Sequence, residues 1–136
     1  MKNKKIILDT NLWISFLISI KFNQIDKQIE NKGIQLIFSK ELLEEFIDVI
    51  SRPKLKKYFL KKDIEKIFAY FDQFGELVIV KSDIKICRDI KDNFLLNLSV
   101  DSKADYLITG DKNLLILEKI ENTKILTFSD FIELTE

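Results

Sequence analysis

The sequence predicts an α/β fold, a three-layer α/β/α sandwich around a central parallel sheet. Two observations carry that expectation. Short apolar runs of strand length alternate with longer segments of helical periodicity along the chain. The first run, Ile6-Ile7-Leu8, is apolar on both faces, as a central parallel strand is. Strands separated by helices favour right-handed crossovers, and hence parallel neighbours.

In chain order, residues 6–8 read as a buried strand, followed by an apolar helix over 12–18 and a more polar helix around 24–31. Gly33 breaks that helix, and residues 35–38 read as a second strand. Ser39 is placed to cap a helix running from 40 to about 51, with Pro53 marking its exit. Residues 55–60 and 64–74 are helical, Gly75 closing the second, and 77–80 form a third strand. A helix over 92–102 leads to a strand over 106–109, a short helix within 112–117 and a last strand over 124–127. Ser129 is expected to cap a terminal turn reaching 134. Repeats, low-complexity tracts and Gly/Ser linkers are absent, so residues 1–136 are expected to form one domain.

Composition removes several reaction classes. The chain has no histidine, which excludes Ser-His-Asp and Cys-His hydrolysis, histidine-based ribonucleases and zinc hydrolases with histidine ligands. Its one cysteine, Cys87, excludes an internal disulfide and a Cys-rich zinc site, and reads as a small buried hydrophobe. No apolar run approaches the roughly 20 residues that cross a bilayer. The apolar stretch after the basic N-terminus is interrupted by Asp9 and Asn11, which argues against a signal peptide and makes the cytoplasm the expected compartment.

Net charge is zero, but its distribution is uneven: residues 1–62 hold 13 basic and 7 acidic side chains, residues 63–136 hold 9 and 15. The sharpest cluster is Arg52, Lys54, Lys56, Lys57, Lys61 and Lys62, with no acid between them. Such a run can follow a phosphate backbone, or it can be a solvated surface. We take Arg52, Lys54, Lys56 and Lys57 as candidates for gripping substrate.

The acids at the ends of apolar runs are the candidates for chemistry. In an open parallel sheet, residues just past the strands' carboxyl ends share one crevice. Asp9 closes the first strand and can cap the next helix, serve in the crevice, or both. Glu44 and Glu45 flank the apolar stripe of Leu42, Leu43, Phe46, Val49 and Ile50, and periodicity only mildly prefers Glu45 as the inward acid. Asp92 shares a helical stripe with Leu95, Leu96 and Ser99, at a helix start whose dipole favours a carboxylate, whether it caps or faces the crevice. Asp89 is a weaker candidate of the same kind, and Asp111 follows Thr109-Gly110 directly after a strand. Asp105 precedes that strand and belongs at the opposite end of the sheet, roughly 20 Å away at about 3.3 Å per residue. Two carboxylates at about 4 Å repel by on the order of 4 kcal/mol at an effective dielectric near 20. Gathered acids therefore persist through raised pKa values or a bound cation, and oxygen-only donors suit Mg2+ or Mn2+.

With these residues in view, the chain resembles PIN-domain (PilT N-terminus-like) ribonucleases, the fold of VapC-like toxins of bacterial toxin–antitoxin pairs. Ile7-Leu8-Asp9-Thr10-Asn11 resembles the family's first acid motif, and Glu44-Glu45-Phe46-Ile47-Asp48-Val49-Ile50-Ser51-Arg52-Pro53-Lys54 the helix carrying its second. Lys91-Asp92-Asn93-Phe94-Leu95 and the segment from Ala104 through Thr109-Gly110-Asp111-Lys112 to Leu115 resemble the third and fourth. The chain has Ser102-Lys103 where the family often has Ala-Gly, and Asn97 and Ser99 where small apolar residues are usual.

The resemblance implies that Asp9, Glu45, Asp92 and Asp111 hold Mg2+ or Mn2+ for hydrolysis of RNA, with Asn11, Asp89 and Thr109 orienting ligands or water. It also implies an antitoxin partner and, by analogy, a homodimer. Two rival functions for a PIN-like fold are housekeeping RNA processing and RNA or partner binding without turnover. Among other Mg2+ enzymes, a haloacid-dehalogenase-like phosphatase needs a second Asp where this chain has Asn11. A receiver-like domain needs an acid after its third strand, where Lys81-Ser82 follow Val80.

Overall fold

A computed structural model of the chain describes residues 4–18, 33–57, 65, 68, 69, 71–73 and 75–135. The elements follow in the order β1 (Lys5–Leu8), α1 (Thr10–Ile18), β2 (Gln35–Phe38), α2 (Lys40–Ile50), α3 (Pro53–Lys56), β3 (Gly75–Leu77), α4 (Ile90–Ser102), β4 (Tyr106–Ile108), α5 (Lys112–Leu115), β5 (Lys119–Ile120), β6 (Thr123–Leu126) and α6 (Phe128–Thr135). The described residues between 65 and 73 are helical, whereas the polar helix expected around 24–31 and Lys61 and Lys62 lie outside the described residues.

The strands form one six-stranded sheet in the order β3-β2-β1-β4-β6-β5, parallel except where β5 pairs antiparallel with β6. Alternation along each strand divides the core. Ile6, Leu8, Leu36, Tyr106 and Ile108 pack with Trp13, Phe46, Phe71 and Phe131 on one face. Ile7, Ile37, Leu107 and Ile125 pack with Leu95, Leu96, Leu98 and Leu114 on the other. The sheet thus lies between α1, α2 and α6 on one side and α4 and α5 on the other.

Successive strands step outward from β1 through β2 to β3, and the chain then returns to place β4 on the other flank of β1. Leu8 is in register with Ile108 at the end of that pair. A reversal of strand order opens a crevice beyond the carboxyl ends of the strands, here between β1 and β4.

Several local expectations need correction. The third strand occupies Gly75–Leu77 rather than 77–80. Its partner β2 ends at Phe38, whose carbonyl accepts one last bond from the Val78 N–H, so nothing remains for 79 and 80 to pair with. Gly75 itself is required by close approach, since a Cβ there would collide with the Phe71 carbonyl and the Phe38 ring. The two-residue β5 carries no alternation by which to find it, and its hairpin turns through Glu121 in the left-handed region (φ 49°). The last helix is capped by Thr127, not Ser129: its Oγ1 accepts from the Asp130 N–H at 3.1 Å. Cys87 is half-buried at the margin of the second core rather than within it.

After β3 the backbone is held by side chains instead of a strand. Asn93, Asn97 and Asp101 stand at i, i+4 and i+8 on one face of α4. The Asn93 amide accepts from Cys87 N–H (2.7 Å) and donates to Cys87 C=O (2.9 Å); Asn97 does the same for Ile84 (2.6 and 3.4 Å). Asp101 accepts from the N–H groups of Lys81 and Ser82 and from the Ser82 hydroxyl. Burial alone would raise the Asp101 carboxyl, but these donors hold it below its ordinary range. This accounts for Asn97 where a small apolar residue was expected. Ser99 is satisfied within the helix, donating to the Leu95 carbonyl at 2.8 Å.

Candidate active site

Asp9 leaves β1 at the crevice, its backbone N–H still bonded to the Ile108 carbonyl at 3.1 Å. One carboxylate oxygen accepts from the Asn11 N–H (3.1 Å) at the start of α1, so Asp9 both caps that helix and lines the crevice. The other oxygen accepts from the Thr109 hydroxyl at 2.8 Å, and Thr109 Oγ1 in turn accepts from the Asp111 N–H at 3.1 Å. The fully buried Thr109 thereby ties the ends of β1 and β4 together through one hydroxyl.

Asp111 repeats the pattern, its Oδ1 accepting from the Asn113 N–H (2.8 Å) as the cap of α5. Asp89 caps α4 through the Lys91 N–H at 2.9 Å. That leaves Asp92 without a capping duty. Its side chain is buried, and Oδ2 finds no hydrogen-bond donor among the described residues. Burial, then its shared hydrogen bond and charge interaction with Asp111, then the charges of Asp89 and Asp9, push the Asp92 carboxyl up to about 6. Burial likewise raises Asp9 above its ordinary range; the Thr109 and Asn11 donors oppose this, while the charges of Glu45 and Asp111 add to it.

Glu45 reaches the site from α2. Thr10, buried at the start of α1, donates to its Oε2 at 3.3 Å, and the Lys91 ammonium lies 3.2 Å from its Oε1. Glu44 instead points into solvent toward Lys40, one turn earlier and 4.0 Å away. Of the adjacent pair, Glu45 is therefore the acid electrostatically linked to Asp9. A cleft of about 340 Å3 opens beside these groups, lined by Asp9, Asn11, Leu12, Ser15, Gly110 and Asp111. A Cβ on Gly110 would meet nothing within 4 Å, so glycine here leaves that wall open.

Among the described residues, no three acids already stand close enough to enclose a metal ion. The donor set nevertheless suits one. Its atoms are all oxygen, as hard divalent cations prefer, and Asp92, which interacts with Asp111, has a buried oxygen with no donor among the described residues. Asp9, Asp92 and Asp111 have the donor chemistry for such a cation but would have to close around it, and Glu45 would in addition have to release its Lys91 contact.

The basic segment is not brought to the acids. Arg52 lies past the end of α2, seven positions from Glu45 and about 10 Å along the helix direction, and pairs with Asp48 at 3.4 Å. Lys54, Lys56 and Lys57 are exposed beyond it. Asp105 lies at the far end of the sheet, accepting from the Lys5 N–H at 2.8 Å. Three residues that touch the site went unanticipated: Thr10, Ser15 and Lys91. Ser15 follows Asn11 by four positions on α1, a helical spacing that could have revealed it. Thr10 and Lys91 announce themselves only by adjacency to Asp9 and Asp92.

The PIN domain family model matches residues 5–113, which include all four of these acids. The chain is also 34% identical over 141 positions to the uncharacterized protein MJ1680 of Methanocaldococcus jannaschii, covering 95% of this chain and 90% of the relative.

Proposed function

The chain belongs to the PIN domain family, and from that premise we propose that it is a metal-dependent endoribonuclease acting at the β1/β4 crevice. PIN domains are generally metal-dependent nucleases that bind RNA. In this proposal residues 1–136 form one PIN-like domain, and Asp9, Glu45, Asp92 and Asp111 hold Mg2+ or Mn2+. The observation that carries it is the Asp92 carboxylate, buried beside Asp111 with one oxygen lacking any donor among the described residues. A fold keeps such a costly group where a cation is meant to meet it.

A divalent cation held there would lower the pKa of a bound water and offset charge building up on the phosphodiester. The protein's own part is orientation. Thr109 and the Asn11 N–H fix both oxygens of Asp9, and the Asn113 N–H fixes one of Asp111, so each carboxylate presents a defined edge. Asn11 and Ser15 line the cleft and offer polar contacts to ribose or phosphate. Asp89 orients the start of α4 and with it Asp92. Arg52, Lys54, Lys56 and Lys57 extend the grip along the RNA backbone beyond the cleft.

The finer role rests on resemblance: a cytoplasmic toxin of a toxin–antitoxin pair, silenced by an antitoxin protein and acting as a homodimer. No helix among the described residues is long and apolar enough to cross a membrane.

The direct test is cleavage of single-stranded RNA with Mn2+ or Mg2+, beside Asp9→Asn and Asp111→Asn. Cleavage should require the cation, stop with EDTA, and fall at least about 100-fold in either variant. Equal cleavage by parent and variants would mean a contaminating nuclease and sink the assignment.

A further inference from the structure

We propose that Lys91 is a built-in cation at Glu45, which a divalent ion must displace, so that this lysine sets how tightly the site takes its metal. The inference rests on reading Glu45 as a metal ligand. Its observation is the contrast between Glu45 and the other acids. Asp9 and Asp111 are oriented by neutral donors, backbone N–H groups and the Thr109 hydroxyl. Asp92 has an oxygen with no donor among the described residues. Among the described residues, Glu45 is the one of these four acids held by a cation: its Oε2 accepts from the Thr10 hydroxyl, and its Oε1 meets a full positive charge.

Lys91 is built for that exchange. Its backbone N–H is fixed by the Asp89 cap, so the stem always starts beside Asp92. The side chain is 63% exposed, leaving the ammonium free to move into water when another cation arrives. The pair bridges α2 and α4 across the crevice and offsets one of its negative charges. Half-exposed pairs of this kind are weak, so a divalent ion bound by several carboxylates wins the competition at a modest loss of affinity. The thermodynamic effect is that of a tethered competitor.

The test is Mn2+ binding to metal-free, RNA-free protein, followed by the electron paramagnetic resonance signal of free Mn2+. Lys91→Met should bind Mn2+ roughly three- to tenfold tighter than the parent, and Lys91→Arg, which keeps the charge, close to the parent. In a Glu45→Gln background the Lys91→Met gain should disappear, because the lysine acts through that carboxylate. If Glu45→Gln weakens Mn2+ binding but Lys91→Met does not tighten it, the competitor role is overturned while the metal site stands. An equal gain in both backgrounds would reduce Lys91 to a distant charge and overturn the role as well. If Glu45→Gln binds Mn2+ as the parent does, Glu45 is not a ligand, and both readings fall.

Discussion

The crevice has two unlike halves. On the strand side, Asp9 and Asp111 leave adjacent parallel strands and are oriented by backbone N–H groups and the buried Thr109. On the helix side, Glu45 and Asp92 come from α2 and α4: one is held by a hydroxyl and a half-exposed lysine, the other is pressed into a buried place without a donor. Strand-borne acids are thus oriented by the bonds that cap the helices following their strands and by a buried hydroxyl. Helix-borne acids depend on side-chain partners that can be exchanged or on burial that a cation can relieve. A site made this way keeps a rigid edge for geometry and an adjustable edge for charge.

The comparison breaks most sharply at Asp92. Replacing it with Asn should reduce cation-dependent RNA cleavage by at least about 100-fold, yet stabilise the metal-free protein at pH 7.5. The sign follows from the raised folded-state pKa of about 6. Between the ordinary Asp value near 4 and that of the folded state, the native protein holds the proton more tightly than the unfolded chain does. Stability from this group is therefore present at low pH and lost as pH rises through about 6, by on the order of 2 kcal/mol. Urea denaturation at pH 4.5 and 7.5 should show a clearly larger Asp92→Asn gain at the higher pH, and added Mn2+ should stabilise the parent there. A gain equal at both pH values would show that burial does not strain this carboxylate.

On the rigid side, Thr109→Val removes the hydroxyl between Asp111 and Asp9 with little change in shape. It should cost about 1–3 kcal/mol, because the Asp111 N–H loses its acceptor and Asp9 its donor. Cleavage should fall about 10- to 100-fold through misaligned ligands. Unchanged kinetics would mean that Asp9 does not need its hydroxyl partner.

Away from both halves, Asn97→Leu frees the Ile84 backbone. It should cost about 1–2 kcal/mol in urea denaturation and leave Mn2+ affinity as it was. The smallest effect belongs to the basic segment. Lys54→Ala with Lys56→Ala should weaken RNA binding a few-fold and flatten its salt dependence by about 0.7 per lost phosphate contact. An unaltered salt slope would remove these lysines from the RNA path.

The sheet was largely legible because β1, β2 and β4 are buried on both faces and carry unbroken apolar runs. Chain order then placed Asp9 and Asp111 at one edge and Asp105 at the other. The part that could not be read depended on where neighbours stop. Leu77-Val78-Ile79-Val80 has every local mark of a strand, but β2 ends at Phe38 and the pairing ends with it. Thr10 and Lys91 were illegible for a related reason, since their roles exist only where α1 and α4 face Glu45. Ser129 and Thr127 are chemically similar caps, and only the helix geometry chooses between them.

The side-chain ladder on α4 has a consequence for the protein's behaviour in company. β3 is an outer strand, and its apolar run continues into Val78-Ile79-Val80, with Leu77 and Ile79 exposed. Left straight, that run would offer a second molecule an open rail of amides and carbonyls on which to zip. Asn93, Asn97 and Asp101 claim the backbone just beyond it, so the rail is cut short after a few residues. Three polar side chains on a helix therefore limit how far the chain after β3 can extend as an unpaired strand.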